Sequence, residues 1–198
     1  MSYTDFDLSL YLVTDQPLWV PSATMVQLRI KTGSTADFVR EALAYKKLLA
    51  GRHIPLIIND RVDVALAVDA AGVHLGQSDM PYPMARKLLG KDKIIGLSVE
   101  NLAQVEMANS HDVDYIGISP VFATPTKTDT ATPFGLDGLR EAVRLSRHRT
   151  VAIGGMNLRT VKPVMETGVE GIAVVSAITQ ADDPEQAASE LLHYIKHR

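Results

Sequence analysis

The sequence predicts a (β/α)8 TIM barrel of the α/β class, formed as one domain over residues 1–198. Two observations carry this: eight short, nearly continuous apolar runs rich in β-branched residues, and helical patterns between most of them. A third is that polar, chemistry-bearing residues recur at the same end of successive strands, where a barrel gathers them into one mouth.

The candidate strands are Leu10–Thr14, Met25–Ile30, Ile54–Asn59, Gly72–Leu75, Ile94–Leu97, Tyr115–Ser119, Val151–Ile153 and Gly171–Val175. Strands so apolar are expected to be covered on both faces, as parallel strands are. Helix boundaries are readable in places. Ser34 and Asp37 stand at capping-box spacing before Phe38, Val39, Ala42, Leu43 and Leu48. Asp183-Pro184 supplies an N-cap and a first-turn proline for the last helix. Gly51, Gly90 and Gly168 fall where helices should stop. An open doubly wound sheet is the structural alternative, but Asp15-Gln16-Pro17-Leu18-Trp19 after the first strand lacks its Gly-rich turn.

One stretch fits poorly. A parallel crossover with its helix needs roughly 10–12 residues, and the short segment from Asp15 to Met25 contains Pro17 and Pro21. The first crossover helix is therefore expected to be shortened or missing, or the first strand to be placed irregularly.

Composition narrows the function. A net charge of −3 with a mean hydropathy near zero leaves no global footprint for nucleic acid. No run of about 18 apolar residues is available to span a membrane, and the first residues lack the basic start of a signal peptide. With no cysteine, disulfides and thiolate metal sites are excluded. A cytoplasmic protein handling small molecules is expected, and a homo-oligomer is compatible with the sequence.

The loop Ala123-Thr124-Pro125-Thr126-Lys127-Thr128-Asp129, directly after a buried strand, offers hydroxyls and an ammonium to phosphate oxygens. Gln27, Arg29 and Lys31 share one face of the second strand, where interior cations are costly unless they meet anions. Asp60 and Asp79, at adjacent strand ends, suit Mg2+, a hard cation that takes oxygen ligands. Each also has a structural reading: Asp60 as the cap of a helix over 61–68, Asp79 as a turn residue before Pro81. Ser98 could likewise only cap the helix around Leu102–Ala108. Gly154-Gly155 and Ser176 follow the seventh and eighth strands, the usual phosphate site of barrel enzymes. His74 lies near the mouth, and either a ligand contact or an interior hydrogen bond would account for it. The other five histidines fall in loops or helix ends and assemble no Ser/His/Asp relay or zinc spacing.

Taken in order, Val26-Gln27-Leu28-Arg29-Ile30-Lys31, Ile58-Asn59-Asp60, Gly72-Val73-His74-Leu75-Gly76-Gln77-Ser78-Asp79, Thr124-Pro125-Thr126-Lys127, Ile153-Gly154-Gly155 and Val174-Val175-Ser176-Ala177-Ile178 resemble the thiamin phosphate synthase (thiamine-phosphate pyrophosphorylase) family. The resemblance runs from Met25 to the C-terminus and implies a (β/α)8 barrel. It also implies a transferase of thiamine biosynthesis that joins 4-amino-2-methyl-5-hydroxymethylpyrimidine diphosphate to 4-methyl-5-hydroxyethylthiazole phosphate, with release of pyrophosphate. Carried over, Gln27, Arg29, Lys31, Asn59, Ser98 and Lys127 would hold the pyrimidine diphosphate. Among these, Arg29, Lys31, Lys127 and Ser98 would serve the reaction itself. Asp60 and Asp79 would ligate Mg2+, and Thr124, Thr126, Gly155, Val175 and Ser176 would bind the thiazole phosphate. The departure is the first crossover, where family members carry a helix; it leaves the closure of the barrel and the placement of Arg29 open. Alternatives are the related thiazole tautomerase, a non-catalytic thiamin-phosphate or phosphate-binding barrel, and a barrel enzyme of another phosphosugar pathway.

Overall fold

The computed structural model describes residues 5–123 and 132–197. Eight parallel strands close into a barrel in chain order, β1 (Leu10–Thr14), β2 (Met25–Leu28), β3 (Leu56–Asn59), β4 (Gly72–Leu75), β5 (Ile94–Val99), β6 (Tyr115–Ile118), β7 (Arg149–Ile153) and β8 (Gly171–Val174). β8 returns to pair with β1, Leu10 opposite Ile172. The helices are α1 (Thr35–Leu48), α2 (Val62–Ala67), α3 (Tyr82–Leu89), α4 (Leu102–Ala108), α5 (Gly135–Leu145), α6 (Val161–Met165), α7 (Ser176–Thr179) and α8 (Pro184–Lys196). The cap signals hold: Ser34 and Asp37 form a reciprocal capping box, and the Asp183 carboxylate accepts from the Gln186 N–H.

The apolar strands divide cleanly by alternation. Leu10, Leu12, Val26, Leu28, Leu56, Ile58, Ile116 and Ile118 face outward into the layer shared with the helices. Tyr11, Val13, Met25, Ile57, Ile94, Tyr115, Val151 and Ala173 fill the barrel itself. Phe6 closes the N-terminal end, its ring 6.3 Å from that of Tyr115 and under the Arg149 guanidinium. Gly96 exists for Tyr115, because a Cβ there would stand 2.1 Å from the phenol Cζ.

No helix forms between β1 and β2, as the two prolines predict. Closure survives because no helix is needed for reach: ten extended residues span about 33 Å, twice the length of a five-residue strand. Residues 15–24 run back as a strap. Val20 and Ala23 are buried, the Tyr45 hydroxyl of α1 donates to the Leu18 carbonyl at 3.0 Å, and Arg52 stacks on Trp19. The far side is tied to α8, where the Ser22 hydroxyl and N–H donate to the two Glu185 carboxylate oxygens at 2.6 and 3.2 Å. Glu185→Ala is expected to cost about 1–2 kcal/mol. The chain's only tryptophan, Trp19, reports the loss: in urea its fluorescence should move at a lower denaturant concentration than in wild type.

Candidate functional site at the C-terminal mouth of the barrel

The C-terminal ends of the strands surround a cavity of about 1090 Å³. Gln27, Arg29, Lys31, Asn59, Asp60, His74, Asp79, Ser98, Gly154, Gly155, Val175 and Ser176 all line it. The site residues expected from the sequence are thus brought together, with the exception of Thr124, Thr126 and Lys127, which lie outside the described residues.

Asp60 is held in an unusual way. Its backbone is left-handed (φ 62°), and its N–H donates to the His74 carbonyl at 2.8 Å. An Asp tolerates that conformation better than most residues. Its carboxylate does not cap α2, whose N-cap, Arg61, makes no side-chain cap bond. It instead accepts from the Lys31 ammonium at 2.5 Å. Lys31 stands at the rim with half of its side chain exposed, so it is not the interior cation that the strand alternation suggested. Asp79 keeps its turn role, accepting from the Gly76 N–H at 2.7 Å. Burial pushes its carboxyl up, and the facing Asp60 carboxylate adds to that. Arg29 is half-buried and pairs with no carboxylate among the described residues. A carboxylate pair and the Arg29 guanidinium therefore share one wall of the cavity.

The opposite wall is backbone. Gly154 and Gly155 have φ of 100° and 74°, and a Cβ on either would press on Pro120 or Phe122. Their carbonyls are occupied: Phe122 N–H donates to Gly154, and the Asn157 amide and Thr160 hydroxyl donate to Gly155. Their N–H groups have no acceptor among the described residues. Ser176 opens the short helix α7 beside them.

Below the mouth runs a polar chain that sequence reasoning missed in part. The Gln27 amide donates to the Tyr11 hydroxyl at 2.8 Å, and Tyr11 and Tyr115 share a hydrogen bond of 2.8 Å. Tyr115 meets His74 Nδ1 at 2.9 Å, and His74 Nε2 meets Ser98 Oγ at 2.8 Å. Ser98 is therefore not the cap of α4; Asn101 fills that position, accepting from the Gln104 N–H. His74 is the one histidine lining the cavity among the described residues. Tyr11 and Tyr115 could have been found by parity, since Tyr11 stands two residues before Val13 and Tyr115 two before Gly117, on the inward positions. Burial pushes both phenols up, so both keep their protons.

A family model described as thiamine monophosphate synthase matches residues 12–178. The chain belongs to this family. Its activity is thiamine-phosphate synthase, a transferase. A thiamine-phosphate synthase from Vibrio parahaemolyticus is 50% identical over 195 residues, covering 92% of this chain and 96% of that protein. One from Vibrio campbellii is 54% identical over 169 residues, covering 85% of this chain and 83% of that protein. Among solved structures, a thiamine phosphate pyrophosphorylase from Pyrococcus furiosus superposes with a TM-score of 0.86 at 38% identity, covering 96% of both chains. No helix among the described residues is long and apolar enough to cross a membrane.

Proposed function

We propose that this chain, working as one barrel domain in the cytoplasm, condenses 4-amino-2-methyl-5-hydroxymethylpyrimidine diphosphate with 4-methyl-5-hydroxyethylthiazole phosphate to give thiamin phosphate and pyrophosphate. The observation that carries this reading is the Asp60–Asp79 carboxylate pair beside Arg29 and Lys31, across one cavity from the Gly154-Gly155 turn. A barrel that only bound a monophosphate, or a tautomerase, would have no use for the first wall.

The residues fit Mg2+. Two carboxylates facing each other so closely that one raises the other's pKa relieve that conflict by sharing a dication, and a site with two protein oxygens leaves positions for water and phosphate. When bound, Mg2+ would neutralise charge on the diphosphate. Arg29 and Lys31 bind the same group and stabilise the negative charge that grows as pyrophosphate leaves. No protein nucleophile is needed in such a dissociative route, which suits a chain without cysteine. The thiazole nitrogen then attacks the pyrimidine methylene carbocation, and the barrel contributes by holding both partners in line. Gln27, Asn59 and Ser98 hold the pyrimidine portion, while the N–H groups of Gly154 and Gly155, with Val175 and Ser176, receive the thiazole phosphate. Thr124, Thr126 and Lys127 keep the ligand roles that the family implies.

Pyrophosphate release measured with both substrates, with and without chelator, tests the reading. Release is expected to require both substrates and Mg2+. Binding of thiazole phosphate without any release would leave the binding-only barrel as the correct description.

A further inference from the structure

We propose that the polar chain beneath the mouth has a single proton order, set by the Gln27 amide, which fixes His74 as the Nε2–H tautomer and turns the Ser98 proton outward as a donor to the ligand. The direction follows from counting protons. Gln27 Nε2 can only donate, so the Tyr11 oxygen accepts at 2.8 Å. Tyr11 is 1% exposed, and the described residues offer its proton no acceptor other than Tyr115. Reversing that bond would orphan a buried hydroxyl donor, which costs about 1–3 kcal/mol. Tyr115 is fully buried, so with Tyr11 donating to it, its own proton goes to His74 Nδ1. An imidazole that accepts at Nδ1 carries its proton on Nε2, and this donates to Ser98 Oγ at 2.8 Å. The Ser98 hydroxyl, relieved of donating to His74, presents its hydrogen to the cavity. In this proton order every member is neutral, and the floor of the site is polar without carrying charge.

The functional consequence rests on the synthase reading; the proton order itself does not. Tyr11 and Tyr115 become positioning residues that act through His74 on Ser98. Gln27→Glu is the decisive variant, because a carboxylate only accepts. Tyr11 would then donate to residue 27, Tyr115 to Tyr11, and His74 Nδ1–H to Tyr115. The histidine would change tautomer three hydrogen bonds from the substitution.

The test is long-range 1H–15N correlation spectroscopy of 15N-histidine-labelled protein at pH 8 without substrate, with the His74 signals assigned by their loss in His74→Asn. Wild type is expected to show His74 as Nε2–H, and Gln27→Glu to show it as Nδ1–H. Tyr115→Phe, which removes the donor to Nδ1 at nearly unchanged volume, should show both tautomers. An Nδ1–H histidine in wild type, or one tautomer common to all three proteins, overturns the proposal. In the synthase assay Tyr11→Phe should lower kcat about tenfold, the loss of one hydrogen bond's direction, while KM for the thiazole phosphate holds. The expected tautomers in a protein without synthase activity would uphold the proton order and refute the synthase reading.

Discussion

Asp60→Asn is expected to lower kcat for pyrophosphate release about a hundredfold or more, equivalent to about 2.7 kcal/mol of transition-state stabilisation. Asparagine is the informative substitution. It keeps the size of the side chain and tolerates the left-handed backbone (φ 62°) that alanine would strain. What it removes is the charge that faces Asp79 and holds Lys31. The lost ion pair is partly exposed and is worth at most about 1 kcal/mol to stability, so the thermal melt should barely move. The two readouts therefore separate: turnover collapses and the fold does not. Wild-type kcat at the wild-type Mg2+ requirement would remove Asp60 from the metal site.

Gly171→Ala should produce the opposite pattern, a failure of the barrel. Its Cβ would stand 1.9 Å from the Leu8 carbonyl oxygen and 2.6 Å from that of Ser9. These are backbone atoms at the seam where β8 closes on β1, and the Ile172 N–H donates to the Ser9 carbonyl there. No side chain can swing aside, so the strands must part. A loss of at least about 3 kcal/mol is expected, which for a chain of this size lowers the melting temperature by about 6–12 °C. Differential scanning calorimetry decides it. A melt within about 2 °C of wild type would mean that the seam yields without cost.

The strands were legible because parallel barrel strands are buried on both faces and read as apolar runs. Leu10–Thr14 and Gly72–Leu75 match to the residue, and the others differ only at their ends. The helix-free crossover was half legible. Pro17 and Pro21 left no room for a helix of ordinary length, but the Ser22–Glu185 tie joins an element 163 residues away, which no local pattern can announce. At the site, the charged and hydroxyl residues were readable because their chemistry is costly anywhere else. The structural readings of Asp60 and Ser98 failed because the caps they would have supplied are absent or made by Asn101. The tyrosines escaped notice because a buried phenol in a strand looks like core. Their place in the cavity lining and the hydrogen bonds linking Tyr11, Tyr115 and His74 connect these side chains to the mouth.

The strap also shapes how the protein is made. In a barrel with a full set of crossover helices, the first strand is covered by the segment that follows it within a few dozen residues. Here part of that duty falls to α8, which packs on β1 and ties the strap through Glu185. A chain emerging from the ribosome thus carries β1 and β2 with an incomplete cover until the final helix appears. Assembly depends on contacts between distant parts of the chain, which makes folding slow and prolongs the exposure of apolar strand surface. Dispensing with one helix leaves the cover of the first strands to be completed by the last helix made.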